Sequence, residues 1–117
     1  MTKLILKLND KVIKEVLISK DRELTIGRDQ TNDLQLDNLA VSRVHAKIYK
    51  QGWSFYIEDM DTTNGIYIND RMVSWKAALN NNDIITIGKY MLIFNDNSRD
   101  YENGKDRPFD PNATIKV

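Results

Sequence analysis

Residues 39–70 read LAVSRVHAKIYKQGWSFYIEDMDTTNGIYIND. Apolar side chains recur there at every second position, most plainly at Trp53, Phe55 and Ile57. A period of two puts alternate residues on one face of an extended chain, so the stretch reads as strands whose apolar face is core, Trp53 and Phe55 included. The breaks "KQG" and "TTNG" hold residues that tolerate turn geometry and separate a strand at 46–50 from one at 53–57 and another at 66–68.

Outward from this stretch the same alternation appears at Leu4, Leu6 and Leu8, at Leu24 and Ile26, and at Leu34 and Leu36. Further strands are expected at 12–18, 84–88 and 90–94, with "ND", "DRE", "QTND", "NDR" and "NNND" as the turns between. No run of ten or more residues carries a helical period. The expected fold is all-β, an antiparallel β-sandwich of short strands.

The chain has 117 residues, 41% hydrophobic and 29% charged, which suits one domain spanning 1–95. From 96 to 117 the sequence is polar and holds both prolines, Pro108 and Pro111, so a flexible C-terminal tail is expected. Cysteine is absent, which excludes disulfides, thiolate catalysis and Cys-ligated metals. Seventeen basic residues balance seventeen acidic ones, a distribution that disfavours nucleic acid or an anionic membrane as partner. No apolar run approaches membrane-spanning length, and a cytoplasmic location is expected.

Ser42 and His45 invite a nucleophile-and-base reading, with Asp59 or Asp61 orienting the imidazole. "AVSRVH" lacks the glycines of a strained nucleophile elbow, however, so no catalytic residue is assigned. One histidine among scattered aspartates also lacks the ligand spacing of zinc or calcium sites, and no metal or cofactor is expected. The plainer role for His45 is to tie loop backbones together.

An anion site is better supported. Gly27-Arg28 follows one strand, Ser42-Arg43 precedes another and Thr63-Asn64-Gly65 precedes a third, and loops at one end of a sandwich converge. A phosphate monoester carries a charge of about −1.5 to −2 and three acceptor oxygens, so it calls for a guanidinium fork and neutral donors. Arg28, Ser42, Thr63, Asn64 and Arg43 make up that inventory. Each taken singly is better read as an ordinary strand end or turn residue; their order along the chain is what tells.

That order, Gly-Arg, Ser-Arg-x-His, Asp-x-x-Thr-Thr-Asn-Gly and then LNNNDIITIG, closely resembles the forkhead-associated (FHA) domain, from Leu4 to Asn95. The resemblance implies a sandwich of about eleven short strands. It also implies phosphothreonine-dependent binding of an extended peptide by loops at one apex. The partner would be a phosphothreonine-bearing protein within a Ser/Thr kinase network. By the same resemblance Arg28 and Ser42 would bond the phosphate, Arg43 would add contacts, Thr63 would line the phosphothreonine pocket and Asn64 would hold the ligand backbone. Gly27, His45 and Gly65 would support the loops.

The sequence departs from the family pattern at Thr62, where serine is usual, at Leu39, where proline is common, and at Asp70 and Asn82, where glycine is usual. Asn and Asp best tolerate left-handed backbone among non-glycine residues, so both turns are expected to form. Aspartates 29, 33, 37, 59 and 61 near the loops would weaken attraction of acidic peptides unless they cap turns.

The tail contributes a second expectation. Thr114, between Ala113 and Ile115 with Val117 beyond, is a candidate phosphorylation site whose modified form would be a ligand. About nineteen residues separate it from the last strand, a reach of roughly 60 Å extended or about 25 Å as a flexible coil, which permits capture within one molecule or self-association. The alternative for the whole chain is a sandwich that joins partners independently of phosphate.

Overall fold

The computed structural model describes residues 1–96. Eleven strands form two sheets, with no helix among the described residues. The first sheet contains β1 (Thr2–Leu8), β2 (Lys11–Leu17), β7 (Tyr67–Ile68), β8 (Arg71–Met72), β10 (Ile84–Ile87) and β11 (Tyr90–Asp96), in the order β2-β1-β11-β10-β7-β8. The second contains β3 (Leu24–Gly27), β4 (Leu34–Gln35), β5 (Ala46–Gln51), β6 (Ser54–Asp59) and β9 (Lys76–Leu79), in the order β4-β3-β5-β6-β9.

The alternation seen in the sequence builds the core. Leu4, Ile26, Ile48, Ile57, Ile85, Ile87, Leu92 and Phe94 are all buried between the sheets, and the Phe55 and Phe94 rings meet across them with centroids 5.7 Å apart. The Leu4↔Phe94 and Ile85↔Leu92 pairs show how register keeps these side chains on one face. Asp96 is the last residue of β11: it pairs with Thr2 and accepts a hydrogen bond from the Thr2 hydroxyl at 2.9 Å, so the sheet extends one residue into the expected tail. The rest of that tail, Thr114 included, lies outside the described residues.

Three features differ from the sequence expectation. β3 and β4 pair in parallel, Ile26 with Leu34 and Gly27 with Gln35, because the loop 28–33 doubles back before β4 begins. Strands β8 and β9 had no alternation to reveal them. They are short edge strands, and Lys76, Ala77 and Ala78 are weak strand formers held by pairing with β6. Trp53 is 37% exposed and not core: it precedes β6 in the turn containing Gly52 (φ 65°), so the alternation starts only at Ser54.

The turns rely on left-handed residues. Asn9 and Asp10 (φ 52° and 64°) join β1 to β2, and Asn69 and Asp70 (φ 49° and 69°) join β7 to β8, the backbone that two-residue hairpins need to match strand twist. Asn82 has φ 71°, the left-handed backbone that asparagine tolerates better than other non-glycine residues, so the expected turn forms.

On the outer face of the second sheet, Tyr49 and Tyr56 stack at 6.1 Å, with Lys47 and Lys76 against their rings. The Tyr49 hydroxyl donates to Glu58 at 3.0 Å. Desolvation by burial and then that carboxylate push the Tyr49 pKa up to about 12 from 10.0. A folded pKa above the unfolded one favours the neutral phenol. The resulting stability is complete below pH 10 and lost as pH rises through 12. Chemical denaturation across that window should show falling stability in the native chain, and Tyr49→Phe should remove that part of the slope.

Candidate functional site

Strands β3 and β6 run toward one end of the sandwich, and β5 and β9, their antiparallel partners, run away from it. The loops 28–33, 36–45 and 60–66 therefore gather at that end, and with them Arg28, Ser42, Arg43, Thr63 and Asn64. The hydrogen bonds show how they are joined. Arg28 N–H donates to the Ser42 carbonyl at 2.9 Å and Asp29 N–H to the Arg43 carbonyl at 3.2 Å, which zips the first loop to the second. Asn64 Nδ2 donates to the Ala40 carbonyl at 2.9 Å, which ties the third loop to the second.

His45 is the common brace. Its ring is completely buried. Ser42 N–H donates to Nδ1 at 2.9 Å, so the ring hydrogen sits on Nε2, which donates to the Gly65 carbonyl at 2.8 Å. The backbone of the same residue donates to the Ile26 carbonyl and accepts from Met60 N–H. With both ring nitrogens engaged by backbone, the imidazole has no nitrogen left to deprotonate the Ser42 hydroxyl.

Two glycines permit the close approach. A β-carbon on Gly27 would collide with the Arg43 carbonyl oxygen and crowd Asn32 Nδ2 at 2.8 Å. Gly65 has φ 80°, and its carbonyl is the one that His45 reaches. Thr62 closes the third loop: its N–H and hydroxyl donate to the Asp59 carboxylate at 2.8 and 3.0 Å, and its hydroxyl accepts from Gly65 N–H at 2.9 Å. The extra methyl relative to serine costs none of these bonds.

Residues not singled out from the sequence complete the frame. Asn32 Nδ2 donates to the carbonyls of both Asp29 and Arg43 at 2.8 Å, Gln35 donates to the Arg28 carbonyl at 3.0 Å, and Asn38 accepts from Ala40 N–H at 2.9 Å. Side-chain amides in a turn cluster were the only sequence sign of such a role. Of the nearby aspartates, Asp33 accepts from Thr25 N–H and the Arg22 guanidinium, both at 2.8 Å, and Asp59 from Thr62.

The cations are differently placed. Arg28 is half-buried and Arg43 exposed, and neither forms an ion pair with a described residue. Thr63 and Asn64 are exposed beside them. The Asn64 oxygen accepts no hydrogen bond from a described residue, whereas its amide nitrogen is spent on Ala40. No group of three metal-ligating side chains occurs among the described residues.

Fold and loops together define a β-sandwich that assembles a polar, cation-bearing surface from separate loops at one end. The FHA domain family model matches residues 24–88, more than half of the chain, and the chain belongs to that family. It is 40% identical over 68 residues to the glycogen accumulation regulator GarA of Mycolicibacterium smegmatis, a match covering 58% of this chain and 42% of that protein. The structure is similar to the FHA domain of CT664 from Chlamydia trachomatis, with TM-score 0.75 and 25% identity over 81% of this chain and 96% of that one. It is similar also to Mycobacterium tuberculosis EmbR in complex with a low affinity phosphopeptide, with TM-score 0.70 and 28% identity over 80% of this chain and 24% of that one. The chain spans about half the length of the curated relatives it matches.

His45→Phe would keep a somewhat larger aromatic ring in place while stranding the Ser42 N–H and the Gly65 carbonyl. It should cost about 1–3 kcal/mol for each group left unsatisfied, read as a lower urea midpoint.

Proposed function

We propose that this chain is a phosphothreonine-dependent peptide-binding module of Ser/Thr kinase signalling, acting by equilibrium binding without catalysis. One observation carries the reading. Arg28, Ser42 and Asn64 stand on three loops cross-bonded to one another at a single end of the sandwich, and the Arg28 guanidinium has no carboxylate partner among the described residues. The structure of EmbR, similar in fold and in sequence, is of a complex with a low affinity phosphopeptide, which supports the same ligand class here.

In this reading the Arg28 fork and the Ser42 hydroxyl bind phosphate oxygens, and Arg43 adds charge at the rim. Thr63 lines the pocket for the threonine methyl. The Asn64 oxygen accepts from a ligand backbone N–H, its nitrogen being committed to Ala40. Gly27, His45 and Gly65 hold the loops at the required spacing. Because the whole chain carries no net charge, attraction of the dianion is local, set by these two arginines.

A degenerate phosphothreonine library titrated beside its dephosphorylated counterpart tests the reading, and comparable affinity for both would favour a phosphate-independent interaction domain. Arg28→Ala should cost about 1.5–3 kcal/mol per charge-assisted bond, enough for a forked pair to carry a micromolar complex toward millimolar. Lysine at position 28 should recover little, because an ammonium lacks the planar fork.

A matched phosphoserine peptide should bind about ten- to 200-fold more weakly than its phosphothreonine twin, the effect of one methyl in a fitted pocket. Calorimetry on the pair reads this directly.

A further inference from the structure

The segment 73–76 reaches the same end of the sandwich as the loops above. Val73 N–H donates to the Ile66 carbonyl at 2.8 Å and Asp59 N–H to the Trp75 carbonyl at 2.7 Å, so the segment is bonded to both flanks of the loop that carries Thr63 and Asn64. Its centre is unusual. Lys76 N–H donates to the Ser74 carbonyl at 2.9 Å across Trp75, whose φ is 70°. This is a γ-turn with a left-handed central residue, a strained conformation that a bulky side chain rarely adopts. Strain of this kind persists where surrounding bonds enforce it, and it is concentrated at ligand-binding positions.

The core does not need the indole. Trp75 is 68% exposed, with the Lys76 ammonium 4.7 Å from its ring centre. Met72 is 64% exposed, and its Cε would lie 3.4 Å from a β-carbon on Gly65, the residue after Asn64. One exposed apolar side chain, Met72, thus adjoins the residue after Asn64, and a second, Trp75, stands on the segment bonded to the flanks of that loop.

Beside them a groove of about 730 Å³ runs between β8 and β9, the edge strands of the two sheets. Met72, Val73, Ala77 and Ala78 supply apolar lining, and Arg71 and Lys76 supply charge. Asp83, the one acid in the lining, is occupied by the Asn69 side chain and by Asn80 N–H, at 2.9 and 2.7 Å. Arg71 has no ion-pair partner among the described residues.

We infer that this groove takes the part of the phosphorylated ligand that flanks its phosphothreonine: an extended segment with an apolar or aromatic residue on Met72 and against Trp75, which lies at the rim between the lining residues Ser74 and Lys76, and a carboxylate at Arg71. The inference rests on the phosphate-site reading and adds to it the chemistry of the flank. Edge strands on both walls offer backbone groups to an extended chain, and an exposed tryptophan is the residue type that anchors such contacts.

The test uses the tightest phosphothreonine peptide from the library and the same peptide trimmed to its immediate neighbours. The variant is Trp75→Gly combined with Met72→Ala; glycine keeps the left-handed backbone while removing the indole. The full peptide should bind this variant roughly tenfold more weakly, the trimmed peptide should change by less than about twofold, and selection for an apolar flank should disappear while phosphate dependence remains. Arg71→Ala should remove selection for the acid alone. Undiminished affinity for the full peptide would overturn the inference, and so would an equal loss for the trimmed one, since that reports damage to the whole apex. Absence of any phosphate-dependent binding by the unaltered chain would remove the phosphate-site reading and the groove inference together.

Discussion

One imidazole governs the geometry of the loop end. His45 is fully buried, and a ring taken out of water must have both nitrogens hydrogen-bonded or it costs the fold the whole desolvation penalty. The partners available are the Ser42 N–H and the Gly65 carbonyl, which belong to different loops. Meeting that requirement fixes the distance between the two loops. The backbone of His45 adds bonds to Ile26 and Met60, so one residue joins the ends of β3 and β6 to the start of β5. Positions of the neighbouring side chains follow from this brace.

Around it, the loops are held by polar side chains bonded to backbone as well as by Leu36, Val41 and Ile66, which are buried in the core. Asn32, Gln35, Asn38, Asp59 and Thr62 each satisfy loop amides or carbonyls that no strand partner reaches. The arrangement also sorts the charges. Asp33 and Asp59 are turned onto backbone N–H groups, whereas Arg28 and Arg43 are left without carboxylate partners among the described residues. A chain with no net charge thereby keeps two guanidinium groups free of ion pairs with described residues at one end. Gly27 shows how little room remains, since even a methyl group there would strike the Arg43 carbonyl.

Legibility in the sequence followed the strength of each physical cause. Strands with one buried face, such as β1, β5, β6, β10 and β11, announce themselves because burial imposes a period of two. Strands β8 and β9 do not, since two to four residues at a sheet edge need pairing but no alternation. Trp53 misled because an aromatic residue one position before a strand mimics its period. The parallel placement of β4 depends on the path of loop 28–33, which composition does not encode.

The amino-acid sequence by itself determined that this is an all-β chain with polar turns, and it displayed in order the arginine, serine and asparagine motifs of its family. Those features are local: they depend on side-chain period, on backbone preference and on residue type. Only the tertiary structure decided which groups share bonds across loops, that the Asn64 nitrogen is occupied by Ala40, and that Trp75 stands exposed in a strained turn beside the same apex. Such relations arise when residues distant in the chain compete for the same buried donors and acceptors, and that competition is resolved only once the sheets have packed.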